Sequence, residues 1–497
     1  MLELLTSGFA VILEPSAFIM IIFATIVGII FGALPGVGSA MAVALMVPFT
    51  YKMGPVVSIA FLTAVYCSAI TGGGITAILF KIPGTPGNTP TTFDGYPMAQ
   101  QGRADKALGI ALVCSAIGGI VSAFAMLLIS PQLSSAALRF GPAELFAVAF
   151  FGLSVLSSLD SNNVLKTLIS GLIGLSLATV GMDPIFGVPR FTWGHSALVG
   201  GIPMIPVMIG MFAVTEVLKQ TVNPFKIEGE FLNKKVSTKL LTIKETIAMK
   251  ITILRSAVMG TVIGILPGAG ATIAGFLSYA AEVKSSKTPE RFGKGAPEGV
   301  AATETANNAA TGGSMVPLLS LGIPGGNSSA IMVSALMLQG VQVGPMLIKT
   351  QPVFLSGVFA SMIVTNILMV IVAIGIAKVF SKILNMPYSV LGPVIILLSV
   401  VGSFALQNNT GDVRLMMVAA ILGYAFIKLG FSSAALVLGL VLGDICESNL
   451  RRAVMIADGD ILSVLSRPIT ATLLITCAIL LILPFARQLY KSKKALS

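Results

Sequence analysis

Residues 28–39 read G-I-I-F-G-A-L-P-G-V-G-S, and the pattern returns at 260–272 as G-T-V-I-G-I-L-P-G-A-G-A-T, displaced by 232 positions. Each copy ends an apolar run and precedes a second, shorter apolar piece. In a soluble chain Pro-Gly-x-Gly would mark a turn. Inside hydrophobic sequence it breaks a helix where lipid cannot satisfy the freed N–H and C=O groups. Such breaks are tolerated only when buried in protein or lining a polar cavity. Two of them at matching places in two halves point to a transporter's binding site. The plainer alternative is a pair of kinked packing helices, with Gly28/Gly32 and Gly260/Gly264 as small-residue contacts.

Hydrophobic residues make up 55% of the 497 and charged residues only 10%, with mean hydropathy +0.95. Soluble domains carry about 25% charged residues, so this composition implies an integral membrane protein with many spans. No basic n-region or cleavage site opens the chain, so a cleaved signal peptide is not expected. The net charge of +11 comes from Lys and Arg in short connections and at the C-terminus. That distribution suits topology signals rather than nucleic-acid binding. Cys67, Cys114, Cys446 and Cys477 have neither metal nor disulfide spacing. The single histidine, His195, stands two positions after the single tryptophan in F-T-W-G-H and reads as an interfacial loop anchor.

Apolar runs at 17–34, 55–80, 108–129, 143–159, 164–182 and 197–218 are candidate spans. Residues 39–50 are too short for a crossing that needs about 20. The second half repeats the plan and ends with a span near 469–483. The fold class expected is all-α: a polytopic membrane protein with about ten to twelve transmembrane helices. It contains two repeats, each with a broken or re-entrant Pro-Gly segment. The domains expected are a first membrane repeat at 1–218, a basic cytoplasmic linker at 219–255 and a second repeat at 256–497. The linker holds Lys219, Lys226, Lys234, Lys235, Lys239, Lys244, Lys250 and Arg255 against three glutamates. Such a duplication can be parallel or inverted, and the short pieces after each break leave the parity open. Inversion is preferred because it builds a midplane site.

Polar residues gather around the duplicated segments. The loops K-I-P-G-T-P-G-N-T and L-G-I-P-G-G-N-S-S echo each other at an offset of 239 to 241. In 298–321, Glu304, Asn307, Asn308 and Thr311 recur at helical spacing and share a face. Polar groups at membrane depth face a bundle interior or a cavity. Their oxygens and the freed carbonyls suit Na⁺ near Asn307, Asn308 and Thr311; H⁺ carried by Glu304 is the alternative coupling ion. Half-helix N-termini after each break, with Ser39, Thr85, Thr89, Thr272, Ser328 and Ser329, suit a carboxylate substrate. Pro267, Gly268 and Gly270 of the second break and Asn327 of the second loop complete the candidate set. The sequence carries no P-loop, H-E-x-x-H or G-x-S-x-G pattern. No nucleophile–base constellation for a membrane enzyme stands out, so a non-enzyme without an organic cofactor or resident metal is expected.

The two P-G-x-G segments, E-G-V-A-A-T-E-T-A-N-N-A and I-P-G-T-P…D-G-Y-P-M-A-Q-Q-G-R-A-D-K-A-L-G together resemble the large membrane subunit of the tripartite tricarboxylate transporters, the TctA family. The resemblance covers essentially the whole chain. It implies a multi-pass permease of the bacterial inner membrane, driven by an ion gradient and taking up citrate or related carboxylates. It also implies two partners, a small four-span membrane subunit and a periplasmic solute-binding protein. The family's broken-helix and Gly-Pro loop residues fall on Pro35, Gly36, Gly38, Thr71, Gly72, Gly73, Pro83, Gly84, Asn307, Asn308, Gly312, Pro324 and Gly325. Thr303 stands where that family's pattern leads one to expect Pro. The alternatives are a permease of the same type for another small organic anion and an anion channel, the latter disfavoured by the paired breaks.

Overall fold

The computed structural model describes residues 2–34, 36–159, 164–195, 198–222, 240–267, 270–384 and 388–496. It is an all-α membrane protein. Among the described residues seven helices are long and apolar enough to cross a membrane, and five shorter apolar helices accompany them. The shorter set includes 38–50 and Asn327–Leu338, which lie where breaks and loops interrupt an apolar run. Run length led to an expectation of ten to twelve spans besides the two broken segments; among the described residues seven helices meet the length and apolarity of a crossing.

The first half runs through α1 (Leu2–Ile12), α2 (Pro15–Ala33), α3 (Gly38–Met46), α4 (Pro55–Phe80), α5 (Thr91–Gln100), α6 (Ala104–Ala137), α7 (Pro142–Leu159) and α8 (Val164–Ala178). A two-stranded hairpin, Gly181–Met182 with Pro189–Arg190, follows. Then come α9 (Met204–Met208), a π-helical segment at Ile209–Val214, and α10 (Thr215–Val222). The second half opens with α11 (Ile243–Ala248), α12 (Lys250–Ile265), α13 (Gly270–Ser285), α14 (Pro297–Leu321), α15 (Asn327–Leu338), α16 (Pro345–Thr350) and α17 (Pro352–Leu384). It continues through α18 (Tyr388–Gln407), α19 (Thr410–Leu429) and α20 (Ser433–Ile456). The stretch 219–255, read from sequence as a connector, begins inside α10 and ends inside α12; its residues 223–239 lie outside the described residues.

Both breaks are made the same way. Leu34 and Leu266 each precede a proline and take extended backbone, φ −77°, ψ 121° and φ −73°, ψ 120°. A residue before proline is pushed out of the helical region. The chain restarts at Gly38 (φ +65°) and Gly270 (φ +58°), left-handed positions that suit glycine. The second break is the tip of a re-entrant hairpin. Near the start of α12, Thr252 donates to Glu282 Oε1 at 3.1 Å and Arg255 pairs with Glu282, close to the end of α13. Ser278 donates to Ser256 at 2.8 Å between the same two helices. Helix α13 therefore returns to the side from which α12 entered.

Small residues let these helices touch backbone to backbone, the packing that substitutes for hydrophobic drive within lipid. A β-carbon at Gly32 would lie 2.0 Å from the Ala69 carbonyl oxygen, and one at Gly264 2.6 Å from that of Ala310. Likewise Gly72 abuts the Ile29 carbonyl and Gly313 that of Thr261. Each of these pairs maps onto the other through the sequence offsets, so α2–α4 and α12–α14 are equivalent packings. The equivalent helices α4 and α14 run antiparallel: Gly74 faces Glu304, Thr71 faces Asn308 and Cys67 faces Thr311. The descending numbers on one helix against rising numbers on the other resolve the open parity. The repeats are inverted.

Candidate functional site

Four elements that are far apart in sequence meet around one cavity of about 740 Å³. The first break contributes Gly36, Gly38 and Ser39, and the second Gly270, Ala271 and Thr272. The first Gly-Pro loop adds Pro83, Gly84, Thr85, Gly87 and Thr89, and the second adds Gly326, Asn327 and Ser328. The halves interlock across it. Ser328 at the start of α15 donates to Ser39 at the start of α3, at 3.1 Å. The loop residue Gly87 sits against Gly275 of α13, whose β-carbon would lie 2.7 Å from the Gly87 carbonyl oxygen. Each half thus places its loop on the other half's break. The helix starts of α3, α13 and α15 open onto this space, where backbone N–H groups and hydroxyls favour an anion.

One wall comes from elements outside the repeats' breaks: Met211 and Phe212 of the π-helical turn, Thr215, Glu216 and Lys219 of α10, and 431–434 ahead of and within α20. Lys219 is the sole Lys or Arg among the lining residues described, and Glu216 the sole acid. They pair at 3.1 Å.

Behind the cavity lies a buried polar core. Glu304 Oε1 accepts from Thr91 at 2.5 Å and Asn88 Nδ2 at 3.0 Å, and Oε2 accepts from Ser115 at 3.2 Å. Thr85 donates to Asn88 Oδ1 at 2.5 Å, so a chain of hydrogen bonds runs from the cavity wall to Glu304. No basic side chain pairs with Glu304 among the described residues. A carboxylate buried without a basic partner needs a proton or a cation to balance it. Asn307 is fully buried, and neither its Oδ1 nor its Nδ2 has a protein partner. It lies under the loop: a β-carbon on Gly87 would come within 2.4 Å of Asn307 Oδ1. Asn308 accepts from Thr71 at 3.2 Å, while its Nδ2 is unpaired.

The sequence matches the tripartite tricarboxylate transporter TctA family over residues 18–438. The chain belongs to the TctA family. It is 38% identical over 487 residues to an Agrobacterium vitis protein described as an uncharacterized 52.8 kDa protein in the TAR-I ttuC' 3' region, spanning 97% of both chains. A second Agrobacterium vitis protein, described as uncharacterized and from the TAR-II ttuC' 3' region, is 43% identical over 232 residues. That match covers 46% of this chain and 96% of the relative. No solved structure matches.

Within this TctA-family chain the site residues expected from sequence fall into two shells. Gly36, Gly38, Ser39, Pro83, Gly84, Thr85, Gly270, Thr272 and Asn327 line the cavity. Thr71, Gly72, Gly73, Glu304, Asn308, Thr311 and Gly312 sit behind it, between α4, α14 and their neighbours. Pro324 and Gly325 lie in the loop between α14 and α15, with Gly325 packed against Ser314, and Pro267 sits at the second break just after Leu266. Pro35 and Gly268 lie outside the described residues. The expected shared face of α14 divides: Glu304, Asn308 and Thr311 face α4, whereas Asn307 faces the loop at Gly87. The reason is the turn of 100° per residue, which separates adjacent asparagines onto neighbouring faces. The helix does not line the cavity as expected; the Gly-Pro loop stands between. Sequence reasoning missed the α10 wall. Its signal was E-V-L-K at the end of an apolar run, which reads equally as the start of a solvated connector.

Proposed function

We propose that this chain is the permease subunit of an ion-coupled secondary transporter for citrate-like di- and tricarboxylates in the bacterial inner membrane. A periplasmic solute-binding protein delivers the substrate, and a small four-span membrane subunit completes the complex. The observation that carries this reading is the convergence of both inverted breaks and both Gly-Pro loops on one cavity. Its donors are backbone N–H groups, hydroxyls and one lysine, a set matched to carboxylate oxygens. Inverted repeats whose breaks meet at the centre suit alternating access.

The coupling ion in this reading is Na⁺. Asn307 offers an amide oxygen with no protein partner directly beneath the cavity loop, and Glu304 supplies charge nearby. Proteoliposomes holding the chain with both partners test the proposal. Carboxylate uptake driven by a Na⁺ gradient, and absent without the binding protein, is expected. Concentrative uptake on a pH gradient alone, with Na⁺ absent, would overturn the Na⁺ assignment. Full-rate, high-affinity uptake by this chain alone would overturn the tripartite reading.

A further inference from the structure

We propose that Lys219 is the carboxylate receptor of the cavity, and that Glu216 holds its place when substrate is absent. The inference rests on the transport reading above and names the charged group that recognises the substrate. Lys219 Nζ lies 3.2 Å from Glu216 Oε1 and 3.1 Å from Oε2, so one carboxylate already occupies the position an anion would take. The partners are not held alike. Glu216 has a side chain 12% exposed, whereas that of Lys219 is 43% exposed. Gln220 Nε2 donates to Glu216 Oε1 at 2.8 Å. On its other side Glu216 abuts the first break, where a β-carbon on Gly36 would lie 2.4 Å from Oε1. Glu216 is therefore pinned and Lys219 is free to swing on its long stem.

A bare cationic site facing the cavity would be solvated or would trap any anion. A lysine already paired exchanges one carboxylate for another, so the cation is never bare while the substrate enters or leaves, and Glu216 keeps the Gln220 hydrogen bond when it gives up the lysine. Exchange favours ligands with two or more carboxylates: one takes Lys219 while another meets the hydroxyls and helix starts of the opposite wall. The bland account is an i,i+3 surface pair that contributes little. Its position does not fit that account, because the pair forms part of the cavity wall and touches the tip of a re-entrant break.

The test is counterflow of labelled citrate, with succinate in parallel, in proteoliposomes carrying the chain and its partners. Substrate is offered from the side of the 219–255 connector, where the binding protein does not set the affinity. Lys219→Gln is expected to raise KM about tenfold or more, with Vmax within about twofold. Lys219→Arg, which keeps the charge, should recover most of that loss. Glu216→Gln should move KM the opposite way, downward, because the internal competitor has gone. The opposite sign separates recognition from misfolding, which would lower Vmax in every variant. Unchanged KM in Lys219→Gln, with wild type moving citrate, overturns the inference and leaves the transport reading standing. Wild type that moves no di- or tricarboxylate overturns both.

Discussion

Thr71 donates to Asn308 Oδ1 at 3.2 Å across 237 positions of sequence, and Cys67 approaches Thr311 at 3.4 Å one turn away. The two contacts are near-images of each other. Adding the offset of 241 that carries Gly72 to Gly313 takes Cys67 to Asn308 and Thr71 to Gly312, the neighbour of Thr311. A two-fold relation in the plane of the membrane therefore passes between α4 and α14. The polar core and the cavity are its centre rather than features of either half.

That relation fixes topology. Because α4 and α14 run antiparallel, the turn before α4 and the loop before α14 must emerge on opposite faces. Lys52 and Lys287 are exposed in those two segments, and the four native cysteines are buried. Lys52→Cys and Lys287→Cys, treated with a membrane-impermeant thiol reagent in sealed right-side-out vesicles, should label from opposite sides. Labelling of both from one side would exclude inversion.

Gly84 shares with Gly32 the closest approach within the first half. A β-carbon there would sit 2.0 Å from the Gly32 carbonyl oxygen and 2.6 Å from Gly73 Cα, atoms of rigid backbone. Gly84→Ala should destabilise by about 1–3 kcal/mol and reduce membrane accumulation. Gly102→Ala, at φ +78° with open space around it, should cost only the backbone strain of about 1–2 kcal/mol. Thermal inactivation in detergent gives the order, and a milder effect at Gly84 would contradict the close packing.

Gly36 differs from both. Its φ of +83° already opposes a side chain, and the atoms nearest a β-carbon are side-chain ends, those of Glu216 and Gln220, rather than backbone. Gly36→Ala should leave insertion largely intact while it pushes Glu216 out of its pair with Lys219. Transport is expected to change in KM before it changes in protein level. Gly38→Ala has no neighbour within 4 Å and serves as the strain-only control.

Glu304→Gln tests the coupling ion. The amide keeps the shape but removes the fixed charge facing Thr91, Asn88 and Ser115. With Na⁺ coupling the variant should still concentrate substrate, at a higher apparent Na⁺ requirement. Loss of concentrative uptake with preserved exchange would instead mark Glu304 as the proton carrier.

Glu245, outside the spans, gives a pH signature. Its carboxylate is pulled down to about 2, first by the Thr242 backbone N–H at 2.9 Å and then by Lys106 at 3.0 Å. A depressed folded value means the contribution is present above the unfolded value of about 4.3. It is lost as pH falls from there toward 2. Hydrogen exchange across α11 should therefore differ between wild type and Glu245→Gln at pH 6, with the difference shrinking below about pH 4 and vanishing only as pH falls to about 2. Equal exchange at pH 6 would show that the cap does not hold this helix.

How far the sequence revealed this arrangement depends on what each residue's signal was tied to. Leu34-Pro35 and Leu266-Pro267 were legible because proline acts on its own neighbour's backbone. The Gly72 and Gly313 contacts were legible as small residues, yet their partners Ile29 and Thr261 carry no mark of their role. Direction was hidden, since a re-entrant hairpin and a crossing helix have the same composition. Lys219 was hidden for a related reason: a lysine at the head of a polar connector looks solvated until Gly36 is brought beside its partner Glu216. Asn307 and Asn308 are adjacent letters whose tasks diverge only when α4 and the loop occupy different faces of α14.

The contact between Ser39 and Ser328 also sets a schedule. The two residues are 289 positions apart, and chains are synthesised at about 5–20 residues per second. Helix α3 is thus made roughly 15–60 s before the residue that closes its exposed start. For that interval the first break waits in the bilayer with its backbone donors uncovered. Whatever shields it, whether water, lipid headgroups or the insertion machinery, acts as a temporary stand-in for the other half of the molecule.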